Sequence, residues 1–412
     1  MSTQTARHSP RNLIALALCM ALQMTGFVMI LPLFARRFDS FGTGVEALGM
    51  SAMAYALTST FAAPFMGMLA DRFGRRPIIL LSLAAYVLAF SGYLFADSAR
   101  LLILLRGLAG IFTAGLIPAM TSIVGDLASE NRRAQWIGIV NGGASAGWIV
   151  GPLLGGLLYD RFGYAVPFAV SIAMAVGALF LAVFLIPETY TLSAHPGHPR
   201  AAWTHGFQAV RALPIFFLPM LISFGVMFAW AFIEPQFMFY AYDDLAWTSS
   251  QLGLVMSTYG MACTFGEFAL GQLSDRLGRK PVLVLGLALF SAQFVGLVIF
   301  RDVNWIVVSF ILAGLGNALY DPALSAHILD ITPPENTARI MGLKSTAGSL
   351  GNMLGPALVV LFTPFVNPQV VFLVASALVL MLTLASAFAL RVPRRNKVPS
   401  PFSNAADAAD SR

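Results

Sequence analysis

The chain has 412 residues, of which 58% are apolar or aromatic, 11% are charged and 36 are glycine. Soluble domains are about 25% charged, so this composition, with a mean hydropathy of +0.77, excludes a water-soluble enzyme and a disordered chain. The formal net charge is +6. The placement of the basic residues explains that excess through membrane charge asymmetry, and no nucleic-acid partner is expected.

A helix crossing a bilayer needs about 20 mostly apolar residues. Twelve such runs follow in order, beginning with Leu13–Phe34, Ala47–Ala70, Ile78–Ala96, Leu101–Leu127, Ala134–Leu158 and Val166–Ile186. After one long polar connection come Ile215–Tyr240, Gln251–Leu270, Val282–Phe300, Trp305–Leu329, Ile340–Phe362 and Val370–Leu390. Barrel strands would be about ten residues long with alternating polarity; these runs predict an all-α integral membrane protein with twelve transmembrane helices. The first run follows Arg7 and Arg11, exceeds a signal-peptide core and lacks an A-x-A site, so it reads as a retained helix. The connection Pro187–Pro214 holds His195, His198 and His205 and reads as a solvated linker rather than a metal site. Cys19 and Cys263 lie in separate apolar runs, and no metal or other cofactor is expected.

With both termini on one side, that side collects nineteen of the 25 basic residues, Lys344 among them. The other side holds Arg36, Arg37, Arg100, Arg161 and Arg301, and Arg106 falls within a span. The positive-inside rule predicts cytoplasmic termini in a cytoplasmic (inner) membrane.

An internal repeat organises the chain. Gly67-Met-Leu-Ala-Asp-Arg-Phe-Gly-Arg-Arg-Pro77 matches Gly271-Gln-Leu-Ser-Asp-Arg-Leu-Gly-Arg-Lys-Pro281 at an offset of 204, which also relates Gly110 to Gly314, Asp126 to Asp330 and Gly151-Pro152 to Gly355-Pro356. Residues 1–189 therefore form one six-helix bundle, 190–213 a cytoplasmic linker, 214–391 a second, pseudo-symmetric bundle, and 392–412 a disordered tail. Parallel halves of this kind flank a central cavity. Features shared by both halves serve folding or gating; features of one half are candidates for chemistry.

The repeated loop must reverse two helices within a few residues. Gly74 and Gly278 supply backbone freedom, Pro77 and Pro281 start the next helix, and Asp71 and Asp275 offer caps to an exposed helix N-terminus. Arg72, Arg75 and Arg76 can meet Asp126 at the cytoplasmic end of span four; Arg276 and Arg279 hold the matching places in the second loop. The paired loops resemble the signature loop of the major facilitator superfamily, and the six-plus-six plan agrees over nearly the whole chain. The resemblance implies that fold and a gating role for these loop residues at the cytoplasmic face.

Span five carries Gly138, Gly147, Gly151-Pro152 and Gly155-Gly156. Such steps let helices approach closely, and Pro152 permits a kink. Simple packing accounts for the glycines, yet the spacing is similar to the antiporter motif of the family's drug-efflux branches. The second half has Val359-Val360 in place of the glycine pair, and the asymmetry favours export.

Arg106 sits inside span four, where an arginine costs about 2.5–3.5 kcal/mol on insertion scales and calls for a partner or a cavity. Its stretch resembles the family's fourth-span arginine motif, linked to proton transfer; snorkelling to the outer interface is the alternative. Glu234, Glu267 and Asp321 lie within spans seven, eight and ten, and their repeat counterparts are Ile30, Ala63 and Ile117. An acid of this kind can alternate between a proton and a cation, which provides a basis for exchange. Glu234 could instead be wet, and Glu267 could pair with a loop arginine. Gln23, Asn141, Trp230, Tyr259, Asn317, Tyr320 and Asn352 are candidates for a substrate cavity. No phosphate-binding loop, metalloprotease motif or nucleophile elbow is present, and no catalytic residue is assigned.

These readings predict a monomeric, lipid-embedded secondary transporter that exports amphipathic or cationic small molecules in exchange for protons by alternating access. A proton-coupled nutrient symporter and a non-transporting sensor on the same fold are the rivals.

Overall fold

The structure, a computed structural model, describes residues 10–129, 132–189, 214–332, 336–362 and 367–390. The linker histidines and the tail lie outside the described residues. The first half consists of span one (Pro10–Ile30, extended by Leu33–Ser40), span two (Val45–Phe73), span three (Arg75–Phe95), span four (Ala99–Thr113 and Leu116–Leu127), span five (Arg133–Phe162) and span six (Ala165–Leu185). The second consists of span seven (Phe217–Phe239, continuing as a π-helical turn, Tyr240–Asp244), span eight (Ser249–Leu270, then Leu273–Leu277), span nine (Arg279–Phe290 and Ala292–Ile299), span ten (Val303–Asp330), span eleven (Thr337–Phe362) and span twelve (Pro368–Ala389).

Among the described residues, eleven of these spans are long and apolar enough to cross a membrane. Span eight is the more polar one, carrying Ser257, Thr258, Thr264 and Glu267. Its 22 residues still extend about 33 Å at 1.5 Å per residue, enough for the hydrocarbon core.

The repeat is visible in the packing. Span one lies against five and six, two against four, and three against four and six; seven lies against eleven and twelve, eight against ten, and nine against ten and twelve. Small residues set these seams. Gly143, Gly147, Gly151 and Gly155 lie on the span-one backbone between Ala17 and Met29, and Gly351 and Gly355 lie likewise on Phe224 and Ala231 of span seven. Most of the span-five glycine pattern therefore serves its own half.

Reversal of the chain in the repeated loop falls to a single residue in each half. The segment Gly67–Phe73 is still helical. Gly74 has φ +103° and Gly278 φ +93°, a left-handed region that side-chain-bearing residues avoid. These two glycines mark one end of the bundle, the motif face; Gly42 and Gly163 mark the opposite face.

Candidate functional site

The halves touch most extensively along two seams related by the repeat, span five with eight and span eleven with two. In the first, Gly156 lies on the backbone of Ser249 and Gly253 on the carbonyl of Pro152, while Gly260 faces Trp148. The second is looser: a Cβ at Gly49 would lie 3.5 Å from the Pro356 carbonyl oxygen, an ordinary contact, with Val360 Cγ2 at 3.0 Å. The asymmetry read from the Gly155-Gly156 and Val359-Val360 pairs thus has a physical form. Without Cβ atoms, spans five and eight approach backbone to backbone; with Val360, spans eleven and two meet through a side chain.

Polar contacts shut the opposite face. Asp160, at the end of span five, accepts from the backbone N–H groups of Ser249 (3.1 Å) and Ser250 (2.8 Å) and from Ser250 Oγ (2.5 Å). A carboxylate from one half thereby caps the first turn of span eight in the other, where the helix dipole favours negative charge. Arg36 donates to the Trp247 carbonyl at 3.2 Å and lies 3.9 Å from the Tyr242 ring centroid. Tyr242 Oη donates to the Pro32 carbonyl at 3.1 Å. Asp160→Ala removes a cap worth about 1 kcal/mol, so it is expected to raise the open fraction of this face roughly fivefold. Spin labels across the far ends of spans five and eight would read the change.

Toward the motif face the glycines of these spans lose such contacts among the described residues. Gly67, Gly138, Gly142 and Gly342 have open space where a Cβ would stand, and Asn141 and Asn352 are exposed. The loop residues hold their own halves together. Arg75 pairs with Asp126 and donates to the Ser122 carbonyl at 2.9 Å; Arg279 reaches Asp330 at 3.0 Å and Asp275 at 2.5 Å. Arg76 donates instead to the Val183 carbonyl at 2.6 Å, and Arg72 lies over Phe73, so Arg75 alone of the three arginines meets Asp126. The expected cap from Asp71 is also replaced. Glu188, following span six, accepts from the N–H groups of Arg75 and Arg76 at 3.2 and 3.1 Å, while Asp71 and Arg276 are exposed.

Arg106 and Glu234 line one small cavity between the halves, with Leu31, Phe34, Leu48, Ala52, Pro235 and Met238. Arg106 is 6% exposed. Its guanidinium carbon lies 4.7 Å from the Phe34 ring and 4.8 Å from the Tyr55 ring, a cation–π box, while Nε and Nη1 have no hydrogen-bond partner among the described residues. Snorkelling is thereby replaced by burial among aromatic rings. The cavity volume is about 20 Å³, enough for about one water between guanidinium and carboxylate.

A second polar group lies in the other half, on spans seven, eight and ten. Trp230 stacks on Tyr259 with centroids 6.0 Å apart. Asn317 donates to Tyr259 Oη at 3.0 Å and lies 3.5 Å from Cys263 Sγ, which lies 3.7 Å from Glu267 Oε1. Glu267 pairs with no loop arginine among the described residues. Asp321 is not free: Lys344, which by sequence groups with the charges of the cytoplasmic side, lies in span eleven and donates to Asp321 Oδ1 at 2.6 Å and to Ser325 Oγ at 2.7 Å. Two of the cavity candidates are buried. Tyr320 is buried against Phe290, and Gln23 is wholly buried. Asp160, Glu188 and Lys344 had no place among the predicted site residues.

Two like sets of membrane-spanning helices packed against each other, with charge buried between them, are the architecture of a membrane transporter rather than an enzyme. The sequence profile described as Major Facilitator Superfamily matches residues 16–242 and 215–409, and the chain belongs to that superfamily. Multidrug resistance protein 2 of Bacillus subtilis is 26% identical over 340 residues, 81% of this chain and 84% of that protein. The class G tetracycline resistance protein of Vibrio anguillarum is 29% identical over 315 residues, 73% of this chain and 77% of that protein. The crystal structure of the human organic anion transporter MFSD10 (TETRAN) shares the fold, with a TM-score of 0.67 at 20% identity, covering 92% of this chain and all of that one.

Proposed function

We propose that the chain exports amphipathic or cationic small molecules in exchange for protons, its two halves alternating between a vestibule open to the motif face and one open to the opposite face. The charge distribution supports a motif face in the cytoplasm of an inner membrane, and the tight span-five seam and the multidrug and tetracycline relatives favour export over uptake.

The observation that carries the coupling is the placement of Arg106 and Glu234 in different halves around one cavity. With the opposite face shut, the guanidinium stands across from the carboxylate and balances its charge. Opening that face carries span four away from span seven. A carboxylate left without its counter-charge in a low-dielectric site takes up a proton; closure brings the guanidinium back and displaces it. Substrate enters from the motif face, where Glu267 meets a cationic group and the Trp230–Tyr259 stack receives apolar and aromatic parts. Differential binding of proton and substrate to the two states then drives exchange. Asp71, exposed here, and the arginines of the loops are assigned to the latch that forms when the motif face closes.

The test is transport by the purified full-length protein in proteoliposomes. Addition of a cationic substrate under an imposed pH gradient is expected to release protons. Substrate movement with no proton flux overturns the coupling; accumulation with the proton rather than against it favours the symporter.

A further inference from the structure

The pairing of Asp321 with Lys344 bears on the charge of what the vestibule accepts. Lys344 Nζ engages Asp321 Oδ1 at 2.6 Å and Ser325 Oγ at 2.7 Å. The lysine side chain is 15% exposed and the aspartate 52%, so the ammonium approaches from within the bundle while the carboxylate faces open space. The repeat shows that the fold does not require the pair. In the first half Thr121 holds the place of Ser325, its hydroxyl bonded to the carbonyl of Ile117 just as that of Ser325 is bonded to the carbonyl of Asp321. The hydroxyl and its bond are common to both halves. The charges are not: Asp321 corresponds to Ile117 and Lys344 to Val140. Among the described residues, Glu267 by contrast meets the weak Cys263 thiol at 3.7 Å and no cation.

We propose that Lys344 sets the charge capacity of the vestibule. By occupying Asp321 it leaves Glu267 as the uncommitted carboxylate, and so selects singly charged organic cations over doubly charged ones. The inference rests on the reading of the vestibule as a cation site and deepens it. A doubly charged ligand needs a second carboxylate within reach, and Asp321 supplies one only when its lysine is gone.

The test compares two dyes with one ring system, ethidium with a single charge and propidium with two, by fluorescence titration of the full-length protein in nanodiscs. Wild type is expected to bind ethidium at least tenfold more tightly than propidium. Lys344→Gln is expected to bring propidium to within about twofold of ethidium, and the double variant Asp321→Asn/Lys344→Gln to restore the wild-type preference. Lys344→Arg keeps the pair and the preference. The double variant, which leaves no unpaired charge, guards against failure of Lys344→Gln to fold: an altered dye ratio in that background overturns the proposal, as does an unchanged ratio in Lys344→Gln. Glu267→Gln tests the underlying reading separately. It is expected to abolish binding of both dyes, and undiminished ethidium binding there overturns the cation vestibule itself.

Discussion

Glu234→Gln is expected to uncouple transport from the proton gradient. The amide keeps the shape of the carboxyl and holds no exchangeable charge, so alternation no longer moves a proton. In inverted vesicles, uptake driven by a pH gradient is expected to fall by roughly twentyfold or more, while exchange of labelled for unlabelled substrate across equal concentrations falls by no more than about threefold. The separation of the two readouts distinguishes a coupling residue from one needed for folding or substrate binding. Arg106→Ala is expected to give the same uncoupling by the opposite route. Without the guanidinium among Phe34 and Tyr55, closure of the opposite face no longer displaces the proton from Glu234. Arg106→Lys shortens the side chain and loses the planar cation, so partial rescue at most is expected. Equal loss of both transport modes in Glu234→Gln would place the residue in substrate binding instead.

Much of the fold was legible because it depends on local and repeated features. Apolar runs of bilayer length mark the spans, and the 204-residue offset pairs Gly74 with Gly278 at positive φ and Gly151-Pro152 with Gly355-Pro356. Run ends were less exact. Span two continues from Ala70 to Phe73, since Asp71 and Arg72 interrupt hydropathy without interrupting helical hydrogen bonding.

The site was legible by residue type and less so by partner. Arg106 and Glu234 stand out as charges in apolar runs, but their common cavity joins residues from two halves, which spacing does not reveal. Lys344 lies one turn inside its run and was averaged with the loop charges. Tyr320 is adjacent to Asp321 in the chain, yet successive helical residues point about 100° apart, and it turns into the bundle. Asp160 had no signal at all. It follows the glycine pair at the polar end of a span, and its partners Ser249 and Ser250 are some ninety residues away.

The seam between spans five and eight supports a prediction of a different kind. Gly253→Ala and Gly156→Ala add one methyl group each, which in an isolated helix would be favourable by about 1 kcal/mol. Here the new carbon falls on backbone atoms, the Pro152 carbonyl for Gly253 and the Ser249 carbonyl for Gly156. Backbone in a helix cannot turn aside as a flexible side chain does, so the spans must separate. Overpacking of this sort costs about 1–3 kcal/mol, and the cost applies only while the opposite face is shut. Either substitution is therefore expected to move the conformational balance toward the open opposite face by roughly 5- to 150-fold, with transport lost because the cycle cannot return. Distances between spin labels at the far ends of the two spans would report the shift. Gly67→Ala, whose added carbon meets open space, is expected to leave them unchanged. Gly49→Ala occupies the repeat-related position in the looser seam, where Val360 can yield, and should fall between. A uniform response at Gly253, Gly49 and Gly67 would mean that helix stiffening, rather than closure of this seam, governs the equilibrium.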